Sequence, residues 1–91
     1  PYNSLSTYIA ERLKYPEEAR KQKIEGKVFV SFVIDTTGLV TNVKVMRGVH
    51  PLLDAEAIRV VEALPRWEPA KQRGKKVRVS YTVPVQFSMG K

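Results

Sequence analysis

A chain of 91 residues has room for one domain with a modest core. Its 43% hydrophobic and 27% charged residues form a globular mixture. With no cysteine and one histidine, disulfide scaffolds, thiolate zinc sites, cysteine nucleophiles and multi-histidine metal centres are excluded. Sixteen Lys and Arg against nine Asp and Glu leave a net charge of +7. That surplus points to an anionic partner without choosing among nucleic acid, an anionic surface and an acidic peptide.

Residues Asn3 to Leu13 read as a first helix, capped by Asn3 or Ser4, with Leu5, Ile9 and Leu13 on one face. Tyr15-Pro16 interrupts, and Pro16 suits the first position of a second helix running to Lys23, with acids first and bases last. Gly26 marks its exit. Lys27 to Asp35 is β-branched and aromatic, with Val28, Val30, Phe32 and Ile34 on one face, and predicts a first strand. Asp35-Thr36-Thr37-Gly38 is a turn signal leading to a second strand from Leu39 to Arg47, a β-hairpin. Gly48 to Pro51 breaks the strand.

Leu52 to Leu64 follows as the main helix, with an apolar stripe of Leu53, Ala57, Ile58, Val61 and Leu64. Pro65 ends it, and Arg66 to Gly74 reads as a loop holding Trp67 and Pro69. Lys76 to Met89 then alternates: Val77, Val79, Tyr81, Val83, Val85 and Phe87 to one face, polar residues to the other. The expected fold is a single α+β domain over residues 1–91 in the order α-α-β-β-α-β. Its sheet has three antiparallel strands, and the helices pack on one face.

A right-handed crossover brings the third strand beside the first, in the order 2-1-3. Pro84 independently places that third strand at an edge, because a proline inside a strand needs its missing N–H to face away from the sheet. Arg78, Ser80, Thr82 and Gln86 share the outward parity of Pro84. The sequence thus predicts an open β-edge, which proteins either block or use for binding.

No constellation composes an active site. His50 lacks a nucleophile or an orienting partner. Asp35 with Thr36 and Thr37 offers one carboxylate, too few for calcium, and reads as a turn. Gly26 stands alone and builds no phosphate loop. Asp54 and Glu56 suit the helix dipole, and Trp67 reads as a plug at the base of the core. The expectation is a protein that is not an enzyme and uses no cofactor. The basic run Lys71, Arg73, Lys75, Lys76 and Arg78 raises nucleic-acid binding, but the outward face of the last strand has no aromatic for base stacking, so no nucleic-acid partner is expected.

The ordered series of motifs resembles the C-terminal domain of TonB-type energy transducers. It comprises Tyr15-Pro16-Glu17-Glu18-Ala19-Arg20, Ile24 to Phe32, and Asp35-Thr36-Thr37-Gly38-Leu39-Val40 with Val43-Lys44-Val45. Leu53-Asp54 with Ala57, Trp67-Glu68-Pro69, Gly74 to Val77 and Val83 to Phe87 complete it. The likeness spans residues 15–89, with 1–14 as a helical lead-in.

The resemblance implies a periplasmic domain of an inner-membrane-anchored protein of Gram-negative bacteria. Such a domain grips the TonB box of outer-membrane transporters by strand addition to its last strand. It then transmits force derived from the proton gradient through ExbB and ExbD, for uptake of siderophore, vitamin or glycan. The implied partner-binding residues are Arg78, Ser80, Thr82, Pro84 and Gln86 on the edge, with Arg12, Lys14, Tyr15 and Pro16 lining the same groove. Well-studied members carry Gln-Pro where this chain has Arg12-Leu13-Lys14, a change expected to favour a transporter box with acidic residues. Ala70 replaces a commonly seen glycine after the Trp-x-Pro. The same edge also allows two copies to pair as a homodimer, and TonB-like domains of other envelope or sensor proteins are the alternative parent.

Overall fold

A computed structural model describes residues 2–89 of the chain, with side chains at residues 5 and 7–89. The elements are α1 (Tyr2–Arg12), α2 (Glu17–Lys21), β1 (Gly26–Ile34), β2 (Val40–Arg47), α3 (Pro51–Glu62), β3 (Ala70–Gln72), β4 (Lys75–Val77) and β5 (Val79–Phe87). β2, β1 and β5 form an antiparallel sheet in that order, and β3 and β4 form a separate two-stranded ribbon. The architecture is the α+β, 2-1-3 sheet that the connectivity argument predicts.

The alternation in β1 and β5 decides where the core lies. Val28, Val30, Phe32 and Ile34 are buried, and their direct partners across the ladder are Val85, Val83, Tyr81 and Val79. The helices cover this face. α3 contributes Leu53, Ala57, Val60 and Val61, α2 contributes Ala19, and α1 lays Leu5 and Ile9 over it. Burying each of these Val, Leu or Phe side chains is worth about 1.5–3 kcal/mol, which offsets the ordering of a short chain. Phe32 stacks on Tyr81 and Tyr15 meets Phe87 edge-on, so each end of the β5 row is tied to an aromatic neighbour.

Two links fix the ends of the β1–β2 hairpin and of α3. Asp35 Oδ1 accepts from the Thr37 N–H (2.9 Å), the Thr37 hydroxyl (2.7 Å) and the Leu39 N–H (3.0 Å), while Gly38 N–H donates to the Asp35 carbonyl. At the start of α3, His50 Nδ1 accepts from Leu52 N–H (3.1 Å) as the N-cap with Pro51 as the first helical residue. The single histidine is thus spent on closing a helix.

Several boundaries differ from expectation, each for a local reason. α1 already includes Asn3 and Ser4 at Tyr2–Arg12, and the expected cap rests on side chains outside the described residues. Pro16 stands one place before α2, extended at φ −60° and ψ 131°, and Glu17 is its first residue. The helix leaves through Lys23, at φ 59°, and Gly26 instead opens β1. In α3, Val60 takes the buried place expected for Ile58. In place of the expected loop to Gly74 and single strand from Lys76 to Met89, a hairpin, β3–β4, turning on Arg73 (φ 54°) and Gly74 (φ 78°), precedes a last strand that begins at Val79. Arg78 alone separates the hairpin from β5. Two positive φ values at the centre of a two-residue loop match the right-handed strand twist, and they make the ribbon possible without an Asn-Gly signal.

Candidate functional site

The sheet has two edges, and they differ. β2 pairs with β1 through two register shifts, so Asn42, at φ 54°, and Met46 are extra residues on β2. Bulges of this kind bend a strand and blunt its edge. β5 pairs with β1 over all nine residues in unbroken register, from Gly26↔Phe87 to Ile34↔Val79. Its other side has no strand neighbour among the described residues.

The direction of its backbone groups follows from two independent observations. Asp35 N–H donates to the Leu39 carbonyl at 3.0 Å, and the Thr41 hydroxyl donates to the Val33 carbonyl at 3.3 Å. Odd positions at that end of β1 therefore face β2, and Ile34, Phe32, Val30 and Val28 face β5. Their partners Val79, Tyr81, Val83 and Val85 spend their N–H and C=O on β1. Pro84, opposite Phe29, has no N–H to spend, which requires the same parity. The N–H groups of Ser80, Thr82 and Gln86 and the carbonyls of Ser80, Thr82, Pro84 and Gln86 thus point out of the sheet. All four side chains are exposed, on the face opposite the helices. Arg78 is exposed too, but it lies in the junction between β4 and β5 rather than on the strand.

α1 runs alongside this edge. Ile9, Ala10 and Leu13 face Pro84, Val85 and Gln86 across a groove of about 250 Å³. Leu13 belongs to the apolar stripe legible in the sequence, but only the docking of α1 shows that the stripe ends at β5. Ala10 carried no signal of its own. A larger cavity of about 410 Å³ lies toward the other end of β5, bordered by Leu5, Ile34, Trp67, Glu68, Ala70 and Tyr81. There Trp67 meets Tyr8 edge-on, and its buried indole N–H has no partner among the described residues.

The remaining residues expected in the groove have internal occupations. The Arg12 guanidinium sits 3.6 Å over the Tyr8 ring and 3.5 Å from Glu11. Lys14 N–H donates to Glu56 Oε2 at 2.8 Å, while its side chain is exposed. The Tyr15 hydroxyl donates to the Ile24 carbonyl, and Pro16 is half-buried at the start of α2. Loss of solvent around Tyr15, then the Glu25 carboxylate, raises its phenol pKa and keeps it a donor. None of these four lines the groove, although Tyr15 touches Phe87 at its end.

No group of three or more His, Asp or Glu that could hold a metal occurs among the described residues. No described helix is long and apolar enough to cross a membrane. What the site offers is an unpaired strand backbone beside an apolar helix wall.

Comparison with known proteins gives this arrangement a family. The family described as Gram-negative bacterial TonB protein C-terminal matches residues 11–89. Protein TonB of two Helicobacter pylori strains is 28% identical over 86 residues; the match takes in 93% of this chain and 29% of each relative, so the chain spans less than a third of their length. Among solved structures, two NMR solution structures of the Helicobacter pylori TonB C-terminal domain superpose with TM-scores of 0.74 and 0.72, at 26% and 28% identity. They cover 99% and 93% of this chain, and 95% and 77% of theirs. With the match running from the end of α1 to beyond β5, the chain belongs to the family of TonB C-terminal domains.

Proposed function

We propose that this domain is the receptor-gripping end of a TonB-type energy transducer, binding the TonB box of outer-membrane transporters by strand addition to β5. The observation that carries this reading is the unbroken, unpaired β5 edge with its outward N–H and C=O groups at Ser80, Thr82 and Gln86. Family membership supplies the partner. In this reading the domain works in the periplasm, its parent protein is anchored in the inner membrane, and ExbB and ExbD couple it to the proton gradient.

No covalent chemistry is involved. Each main-chain hydrogen bond contributes about 0.5–1.5 kcal/mol net, so a short added strand gives the modest affinity of a partner that is seized and released. Load changes the comparison. Pulling along the strands shears these bonds together rather than one at a time, so the joint bears force beyond what its affinity implies. Arg78 and the wall of Ile9, Ala10 and Leu13 flank the two ends of the added strand.

Amide chemical-shift titration of the labelled chain with N-terminal peptides of outer-membrane transporters tests the reading. Shifts concentrated from Ser80 to Gln86 and around Leu13 are expected. A stable fold with no shift for any such peptide would move the assignment to a TonB-like module with another partner. For the mechanical claim, rupture of the peptide joint before a transporter plug yields, in single-molecule pulling, counts against force transmission.

A further inference from the structure

The molecule separates its charges by element. Every acidic residue lies outside the strands, whereas β1, β2 and the segment from β3 to β5 carry eight Lys and Arg and no acid. Five of these, Lys71, Arg73, Lys75, Lys76 and Arg78, sit within eight residues on the β3–β4 hairpin and its junction to β5. All five are exposed, and none forms an ion pair with a described residue. Holding like charges on one small ribbon costs repulsion, and no ion pair among the described residues offsets it.

The ribbon is also continuous with the β5 edge. β4 passes into β5 through Arg78 alone, so Lys75 stands about 17 Å of strand before Ser80. A strand paired with Ser80 to Gln86 leaves the sheet on the cationic side at one end, and reaches Ile9, Ala10 and Leu13 at the other. The site is therefore electrostatically asymmetric along its length. We propose that the β3–β4 hairpin selects partner strands that are continued by acidic residues at the end lying beside Arg78. The proposal rests on strand addition at β5 and names the chemistry of the partner.

Two other anionic partners fit less well. The turn Gln72-Arg73-Gly74 presents no apolar side chain to insert among lipids. The nearest aromatic on β5, Tyr81, is stacked on Phe32 on the core face, away from the outward face that carries Ser80 and Thr82.

Three synthetic peptides sharing one Val/Thr strand core provide the test, one with an aspartate triplet at its N-terminus, one with it at the C-terminus, and one flanked by serines. Amide titrations are run on the 91-residue chain at about 50 mM and about 300 mM salt. One aspartate peptide should bind roughly tenfold tighter than the serine peptide at low salt, and most of that advantage should vanish at high salt. Its shifts should extend from β5 into residues 71–78, while those of the serine peptide stop at Ser80.

The Lys71→Gln/Lys75→Gln/Lys76→Gln variant should remove the advantage, leave serine-peptide affinity unchanged, and hold or raise the melting temperature as the repulsion is relieved. Equal affinity of all three peptides, or an advantage that survives the triple variant, overturns this proposal alone. So does binding of phosphatidylglycerol vesicles through the hairpin without any peptide preference. If no peptide shifts Ser80 to Gln86, strand addition itself fails and this inference with it.

Discussion

At Asp35 one carboxylate oxygen accepts three hydrogen bonds and closes the β1–β2 turn. Those bonds, the Thr37 hydroxyl's first, hold its pKa below the ordinary 3.8. Glu56 is likewise lowered from 4.5, chiefly by its hydrogen bonds from Arg59. Both carboxyls are depressed in the folded state, so their stabilisation is complete above their ordinary values. It is lost as pH falls below 4.5 and 3.8 toward the folded-state values. Asp35→Ala should lower the urea midpoint at neutral pH and flatten the acid limb of the stability profile. Gly38 is more constrained. It stands at φ 87°, and an added Cβ would lie 2.0 Å from the Trp67 carbonyl oxygen. The backbones also meet there, with Trp67 N–H donating to the Gly38 carbonyl at 2.8 Å. Gly38→Ala should therefore lower stability by more than about 2 kcal/mol, measured by thermal unfolding, because strain and contact act together. Tyr15→Phe removes the bond to the Ile24 carbonyl and should lower stability slightly while leaving peptide affinity unchanged. A loss of affinity with unchanged stability would return Tyr15 to the binding surface.

Along β5, the residues facing β1 and those facing outward should respond oppositely to proline. Thr82→Pro removes an N–H that points to solvent, so the fold should survive while peptide binding is lost. Tyr81→Pro removes an N–H spent on Phe32 and should cost about 3 kcal/mol or more. Circular dichroism with a peptide titration separates the two, and equal behaviour would mean that the parity is misassigned. That parity was legible in sequence because two local facts agreed, the alternation from Val79 to Phe87 and the proline at position 84. The sheet order was legible for a similar reason, since a right-handed crossover leaves β5 only one place. The β3–β4 ribbon was not, because its strands are three residues long and its turn is Arg-Gly. Its alternation merges with that of β5 across Arg78. The roles expected of Arg12, Lys14, Tyr15 and Pro16 came from resemblance; here Arg12 sits over Tyr8, the Lys14 N–H bonds to Glu56, Tyr15 meets Ile24 and Phe87, and the Pro16 carbonyl accepts from Arg20 N–H in α2. Periodicity shows that α1 has an apolar face, but not which strand receives it.

The molecule as a whole measures 49 × 21 × 16 Å, with the helices on one face of the sheet and acids confined to helices, turns and loops. Its exposed edge invites a second copy as well as a client strand. Pro84 weighs against the copy: a symmetric β5–β5 pair would miss a donor on each side, whereas a client strand meets that gap once. Sedimentation in the micromolar range should therefore show a monomer, and a concentration-dependent dimer lost in Thr82→Pro would show that the edge serves self-pairing. If β5 offers a backbone edge to a partner strand, amide hydrogen exchange along β5 with and without a bound transporter peptide reveals it. In the free chain Ser80, Thr82 and Gln86 should exchange fast while Tyr81, Val83 and Val85 are protected, and peptide should slow the first set alone. Uniform protection along the free strand, or an unchanged Ser80, Thr82 and Gln86 in the saturated complex, would contradict it.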